Sequence, residues 1–266
     1  MATSITNTSV TTDQLNVDSN TLYVDATNNR VGVNTANPGS TLEINGATQV
    51  TGNALTVSDA GFNSRINLFN TGSGGSNFSL YSTMSSFAQG SNTFMLYSPN
   101  ATSGILKAHE DGYVHMPYQP AFSAFMNSTV NFNTMTDGDT IPFASTNLNV
   151  GNHYNTSTYT FTAPVSGTYE FSCYLRLDNI NSAAGDYFHP YWSKNGAGGI
   201  DGITARMITT AATLNIFSFL SSTVMCNMSA NDTMRLRHGD SQSSGSNGAS
   251  AYYQNSQCWW VGKLVG

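Results

Sequence analysis

The fold is decided by one stretch, Tyr159-Thr160-Phe161-Thr162-Ala163-Pro164-Val165-Ser166-Gly167-Thr168-Tyr169-Glu170-Phe171. On each side of its Pro-Val-Ser-Gly turn, large apolar residues alternate with polar ones, which is the two-residue period of a half-buried β-strand. The turn consists of residue types that tight turns favour. The stretch therefore predicts two strands joined by a short turn, in a β-domain whose architecture is typical of binding rather than catalysis.

The rest of the chain shows the same pattern of short alternating runs, broken by Gly, Asn, Asp and Pro, without the spacing of three and four residues that marks an amphipathic helix. We predict an all-β chain. In the C-terminal half the candidate strands are Ala121 to Met126, Thr140 to Phe143, Tyr159 to Ala163, Thr168 to Leu175, Tyr187 to Ser193, Arg206 to Val224, Thr233 to His238 and Gln257 to Leu264. This spacing is typical of a sandwich or jelly roll.

The sequence predicts three regions, with boundaries at residues 20 and 117. Residues 1–20 are rich in Thr, Ser and Asn and form an attachment segment that becomes ordered on a partner surface. Residues 21–117 contain two similar hairpin patterns, Leu22 to Val33 and Gly104 to Met116. Single hairpins cannot close a core, so this region is predicted to be a β-repeat shaft of three chains, with a small β-domain within about 62–99 as an alternative. Residues 118–266 form the head.

Composition excludes several classes of function. Only 9% of the residues are charged, against roughly 25% in an average globular protein. The net charge of −6 gives no basic patch for a nucleic acid, and no stretch is long and apolar enough to predict membrane insertion. The cysteines, Cys173, Cys226 and Cys258, are odd in number and far apart, so we expect small core residues rather than disulfides.

The last predicted strand is apolar on both faces. Trp259 and Val261 alternate with Cys258, Trp260 and Gly262, so that neither face is suited to water. One face can pack inside the domain, and the simplest partner for the other face is a second copy of the chain. The sequence therefore predicts an oligomer.

Residues 120–266 resemble the heads of the complement and tumour-necrosis-factor superfamily. The family signature Phe-x-Ala-Pro-x-x-Gly-x-Tyr-x-Phe is complete from Phe161 to Phe171, and Trp260 to Leu264 matches the aromatic-x-Gly-x-Leu ending. The resemblance implies a trimeric jelly roll. It assigns one group of residues to the trimer interface or head core: Phe161, Tyr169, Phe171, Trp259, Trp260 and Val261.

The front half resembles the repeats of bacteriophage tail-fibre and other virion-fibre proteins. The matching segments are Asn20 to Asp25, Asn28 to Val33 and Asn37 to Leu42. The resemblance implies a homotrimeric virion fibre or spike, made in soluble form in the host cytoplasm, whose N-terminal segment binds other virion proteins. The head would recognise a host-surface glycan or protein. The alternative is a purely structural tail or capsid fibre, whose head fixes the trimer register and contacts virion proteins.

Topology suggests where a ligand would bind. If the last strand returns to the base where the shaft enters, the loop before it lies at the distal tip, and by the same reasoning so does Asn195 to Ile203. These loops carry the hydroxyl, amide and acid groups that bind sugar hydroxyls, and three copies would add avidity. The candidate ligand-binding residues are Asn195, Asp201, Asp240, Gln242, Ser244 and Asn247.

Catalysis and metal binding are not predicted. Asp111, Asp137, Asp139, Asp232 and Asp240 lie in predicted turns, where carboxylates usually cap backbone amides, although some phage fibres cleave polysaccharide with paired carboxylates. His109 and His115 flank a predicted turn, which leaves zinc or nickel on a trimer axis as an alternative. No cofactor is predicted. Some relatives of the head bind calcium, for which the resemblance offers Asp178, Asp186 and Asp201.

Overall fold

The computed structural model describes residues 14–17, 21–46, 57–58, 63–86, 88, 91–101, 104–178, 180–182, 187–197, 207–208, 212–214, 218–241, 250–251 and 257–266. The chain separates into two compact units, Met1–Gly61 and Phe62–Gly266. The predicted region boundaries at 20 and 117 remain predictions.

The first unit contains a four-stranded sheet with the order β1-β2-β3-β4. Its strands are β1 (Gln14–Val17), β2 (Leu22–Asp25), β3 (Arg30–Val33) and β4 (Leu42–Ile44). β2 and β3 form the hairpin expected from the sequence, closed by a turn in which Asn28 donates its backbone N–H to Asp25 Oδ1 at 3.1 Å. β4 runs parallel to β3. The turn chemistry of this hairpin is therefore local, as the sequence indicates.

The second unit begins with a five-stranded antiparallel meander. Its strands follow one another in chain order: β5 (Ser64–Phe69), β6 (Asn77–Ser82), β7 (Thr93–Tyr97), β8 (Leu106–His109) and β9 (Val114–His115). Each strand pairs with the next one in the sequence, so β5 and β9 are the edge strands of this sheet among the described residues. The predicted hairpin Gly104 to Met116 forms the end of this sheet.

The head begins at β10. Its strands are β10 (Ala121–Phe125), β11 (Val130–Asn131), β12 (Ser145–Asn149), β13 (Tyr154–Asn155), β14 (Thr160–Thr162), β15 (Gly167–Asp178), β16 (Ile180–Ser182), β17 (Tyr187–Phe188), β18 (Tyr191–Lys194), β19 (Met207–Ile208), β20 (Ala212–Leu214), β21 (Ser218–Met228), β22 (Thr233–Arg237), β23 (Asp240–Ser241), β24 (Ser250–Ala251) and β25 (Cys258–Leu264). Two short 3₁₀ helices are Phe132–Thr134 and Val150–Asn152.

Two antiparallel sheets make up the body of the head. The larger sheet has the order β11-β24-β15-β25-β10-β12, with β21 pairing to β15, and the smaller has the order β13-β14-β22-β18. Two minor sheets, β16-β20 and β19-β17-β23, complete the head. The two strands of the deciding stretch lie in different sheets, β14 in the smaller and β15 in the larger. The Pro-Val-Ser-Gly turn therefore connects the two layers of a sandwich.

The core lies between the larger and the smaller sheet, and many of its residues are aromatic. Trp260 is fully buried, and its ring centroid lies 5.0 Å from that of Phe122 and 5.2 Å from that of Tyr154. Gly262 is a glycine for a packing reason, because a Cβ there would overlap the rings of Phe122 and Phe171. Cys173 and Cys258 are buried in the head core, as predicted, and Cys226 is half-buried. The prediction of an all-β chain with a jelly-roll head is confirmed.

Three strand predictions were wrong, and one of them, Tyr187 to Ser193, contains two strands that belong to different sheets. Thr140 to Phe143 is not a strand, since it contributes only an isolated bridge from Thr140 to Arg237. The described parts of the predicted run Arg206 to Val224 are β19, β20 and β21, which belong to three different sheets, and β21 continues to Met228. These predictions relied on the alternation of side chains alone. Whether a segment forms a strand, and in which sheet, also depends on which neighbouring strand has a free edge to pair with.

Candidate functional site

The residues of the family signature form the head core. Phe161, Tyr169, Phe171 and Trp260 are all fully buried. The Tyr169 hydroxyl donates a hydrogen bond of 2.9 Å to the carbonyl of Val165, which ties β15 to the turn that precedes it. Of the residues predicted for the interface or core, these four therefore stabilise the interior of the single chain.

The other two predicted residues, Trp259 and Val261, lie on the opposite side of β25 and are partly exposed. Cross-strand neighbours of Trp259 are Phe125 on β10 and Tyr174 on β15, and the rings of Tyr174 and Trp259 stack at 5.8 Å. Phe219 continues the row on β21, with its ring 5.4 Å from that of Tyr174. This surface of the larger sheet, which also carries Leu148 and Met225, is called the outer face below.

The outer face remains open in the single chain. Phe219 is 54% exposed, Met225 56% and Leu148 48%. Its polar groups pair with each other: Lys263 Nζ lies 3.4 Å from Glu170 Oε1, and the Ser172 and Thr223 hydroxyls are 2.9 Å apart. A row of exposed aromatic side chains, beside polar groups that pair with one another, is more typical of a protein interface than of a sheet that faces water.

The base of the head is the end where the chain enters. Leu264 donates its N–H to the carbonyl of Pro120 at 2.9 Å, and Gln119 Nε2 donates to the Leu264 carbonyl at 2.8 Å. Cys258, at the other end of β25, pairs with Leu175 far from this junction. The last strand therefore returns to the base, as the topological argument required.

The segment before the last strand begins and ends away from the base. β23 pairs with β17, and β24 pairs with Leu177 and Asp178 at the far end of β15. Asp240 lies in β23, whereas Asp201, Gln242, Ser244 and Asn247 lie outside the described residues. Ligand binding by these residues stays a prediction.

Asn195 does not lie at the distal end. It follows β18 and packs at the base, where its Nδ2 donates to Asp232 Oδ1 at 2.8 Å and its Oδ1 accepts from the Thr233 N–H at 2.7 Å. Asp232 in turn accepts from Ala163 through its backbone carbonyl. The prediction of a distal Asn195 was wrong because Tyr187 to Ser193 was counted as one strand, whereas β17 and β18 are separate and belong to different sheets.

Three of the described acids, Asp139, Asp178 and Asp232, are engaged by groups of their own segments. Asp139 caps the Thr136 N–H at 2.8 Å and Asp232 caps the Ser229 N–H at 2.8 Å, as expected for turn carboxylates. Asp178 is buried and pairs with Arg176 at 3.0 Å, while Asp186 and Asp201 lie outside the described residues. Within the part of the chain that the structure describes, no three His, Cys, Asp or Glu side chains are placed to hold a metal ion.

The two histidines considered for a metal lie in the meander rather than in the head. His109 stacks on Tyr113 at 4.6 Å, and its Nδ1 lies 3.1 Å from Asp111 Oδ2. His115 pairs with Lys107 on the neighbouring strand. The His109 imidazole is thus engaged by its own hairpin.

Comparison with known proteins gives the family. A sequence model of the C1q domain matches residues 121–257, which is more than half of the chain. The chain belongs to the C1q-domain family. The matched residues begin at β10 and end just before β25, so they cover the jelly-roll head except for its last strand.

Three solved structures are similar to the C1q domain of this chain. The globular domain of zebrafish complement 1qA is 13% identical, covers 56% of this chain and 98% of its own, and has a TM-score of 0.41. Eiger TNF from S. frugiperda is 10% identical over 56% of this chain and 93% of its own, with a TM-score of 0.42. Murine APRIL is 7% identical over 55% of this chain and 99% of its own, with a TM-score of 0.39. No curated protein matches the sequence.

Domains of the C1q family typically trimerise and mediate recognition or binding, and they are generally non-enzymatic. Among the described residues, no helix is long and apolar enough to cross a membrane.

The base of the C1q domain also contains an apolar cavity of about 520 Å³. Its lining comprises Ile105, Met116, Tyr118, Gln119, Pro120, His153, Pro164, Val165, Leu264, Val265 and Gly266. Burial lowers the pKa of His153 below its ordinary value of 6.5, so the imidazole is neutral at pH 7. The sequence analysis missed this cavity because its walls come from segments that are far apart in the chain.

We predict that the stability of the head depends on pH through Asp232, which lies in a turn at the base. Hydrogen bonds from Asn195, Lys194 and the Ser229 N–H lower the pKa of Asp232 from 3.8 to about 2. Because the pKa of the folded form lies below its ordinary value, the carboxylate stabilises the head above pH 3.8, and this contribution is lost as the pH falls towards about 2. Asp232→Asn is therefore expected to lower the melting temperature at pH 7 and to lose that difference near pH 2, as measured by circular dichroism.

Asn195→Ala serves as the second variant for this turn. It removes the largest cause of the lowered pKa of Asp232, so the acid-induced loss of stability should move to higher pH. Identical pH profiles for the wild-type chain and both variants would contradict a stabilising role for the Asp232 carboxylate.

Proposed function

We propose that the chain is a homotrimeric fibre or spike protein of a bacteriophage virion, whose C1q domain recognises a glycan on the host surface. The observation that carries the proposal is the open outer face with Trp259 at its centre, because three copies can bury it in the manner usual for this family. Residues 1–20 would bind another virion protein.

Two further features support a fibre. The front half is turn-rich and built of small sheets, which suits a shaft better than a compact enzyme domain. The segments Asn20 to Asp25, Asn28 to Val33 and Asn37 to Leu42 resemble repeats of virion fibres. The purely structural fibre is the second candidate. The carboxylates of Asp139 and Asp232 cap backbone amides, which favours neither catalysis nor metal binding by these two residues.

Recognition is tested by adsorption to cells. The purified chain is mixed with a panel of bacterial strains of defined surface polysaccharide, and the bound fraction is measured after sedimentation. One variant replaces residues 242–249 with Gly and Ser at the same length, and the control variant is Asn195→Ala at the base. We expect adsorption to one class of strain, its loss in the loop variant, and its retention in the control.

The outcomes separate the two candidates. A trimer that adsorbs to none of the strains supports the structural fibre. Adsorption that survives the loop replacement would remove residues 242–249 from the recognition site, and shortening of the polysaccharide during incubation would indicate an enzyme.

A further inference from the structure

The meander sheet β5–β9 has one face made of apolar side chains, apart from the cross-strand pair Ser64 and Ser82 at its margin. Cross-strand pairs define it: Ile66 lies opposite Leu80, Leu80 opposite Leu96, and Leu96 opposite Leu106. This is one continuous leucine-rich row across four strands. The remaining apolar members are Leu68, Phe78, Phe94, Ala108 and Val114, and the whole set is called the meander face below.

The meander face is partly open to solvent in the single chain, with the central Leu80, Leu96 and Leu106 half-buried and other members exposed. Val114 is 61% exposed, Leu68 53%, Phe94 51% and Ile66 42%. No member of the face carries a charge. An apolar patch that extends over all five strands of a sheet is unusual on a free surface, and it marks an interface.

The opposite face shows that this exposure is not a general property of a loosely packed sheet. It carries Ser79, Thr93 and Lys107, which are only 6%, 5% and 8% exposed, and Met95 is completely buried. Gly104 lies directly against the Met95 side chain, so the chain's own loop covers this side. At the centre of the sheet, on β6 to β8, the protein therefore shields the more polar face, which is the reverse of the usual arrangement for a sheet in water. On β5 the residues of this opposite face, Arg65, Asn67 and Phe69, are exposed.

We propose that the meander face is a second self-association surface, covered by the meanders of two other copies of this chain. This inference rests on the homotrimer proposed above. The segment Met116–Pro120 joins the meander to β10, and so short a segment spans at most about 18 Å even when extended. A trimer of C1q domains therefore holds three meander faces at high effective concentration.

The apolar, uncharged composition of the meander face also favours other copies of this chain as its partner. A surface without charge has no electrostatic complement to prefer, and an apolar row can pack on an identical row. A different protein would need a matching apolar surface delivered from solution, whereas the second and third copies are already tethered nearby. The three meanders then form a closed apolar core directly below the heads.

The test is site-directed cross-linking in the full chain. Ile66→Cys and Phe94→Cys place a thiol on the meander face, and Arg65→Cys places one on the opposite face of the same strand as Ile66. A short bismaleimide is expected to link the two face variants into covalent dimers and trimers on a denaturing gel. The Arg65→Cys variant and the wild-type chain, with its three native cysteines, should remain monomeric on the same gel.

A second readout does not depend on cross-linker length. The rate of modification by a monofunctional maleimide should be at least about ten-fold slower at Ile66→Cys than at Arg65→Cys, because a packed interface protects the thiol. Equal rates without cross-links, in a chain whose mass in solution is that of a trimer, would overturn this inference and leave the trimeric head intact. A monomeric mass for the wild-type chain would overturn both proposals.

Discussion

Trp260→Ala is expected to destabilise the head by about 3–5 kcal/mol, the usual cost of removing a fully buried aromatic ring from a core. Trp260 has no exposed surface, and its ring contacts rings from both sheets, including Phe122, Tyr154 and Trp192. Few neighbours can collapse into the space, because they are themselves large and held by several strands. The change is measured by urea unfolding monitored by circular dichroism.

The control is the next residue in the chain. Trp259→Ala removes a ring of the same size from the outer face, so it should cost much less free energy of unfolding than Trp260→Ala when measured on the dissociated chain. Equal losses for the two variants would mean that the assignment of inner and outer faces of β25 is wrong.

Trp259→Glu is expected to convert a trimer of about three times 28.4 kDa into single chains. Trimer formation would bury the new carboxylate beside Phe125 and Tyr174. The nearest described cations on this face, Arg176 and Lys263, are already paired with Asp178 and Glu170. Burying an unpaired charge costs several kcal/mol, and the cost is repeated in each of the three subunits. Light scattering coupled to size-exclusion chromatography gives the mass directly.

Ser157→Glu is the matched control, because it adds the same charge to an exposed turn between β13 and β14 in the other sheet. It should leave the mass at the trimer value. A wild-type trimer that persists in Trp259→Glu would place the subunit contacts elsewhere than the outer face.

The sequence carried most of the information about the head core. Alternation along Phe161 to Phe171, together with its turn, was sufficient for the family resemblance that the C1q match supports. Alternation in β25 also separated Trp259 from Trp260, because two large rings on consecutive strand residues must point to opposite faces. Local pattern was adequate where burial is strong and the strands are long.

Tertiary context decided what the sequence could not. β12, with the sequence Ser-Thr-Asn-Leu-Asn, has little intrinsic preference for a strand and forms because β10 offers it an edge. Asn195 was misplaced because β17 and β18 look like one run, and only their pairing partners divide them. The apolar row of the meander, from Ile66 to Leu106, was not predicted from the sequence. The loops between its strands differ in length, so the sequence does not show which residues lie opposite each other.

The pairing of Leu264 with Pro120 places the first and last strands of the head side by side at one end. Leu264 therefore lies beside the point where the chain enters the head. Connections that join strands at the opposite end of such a sandwich can change length and composition without disturbing this pairing. Such a scaffold can diversify its tip while its attachment and assembly remain constant.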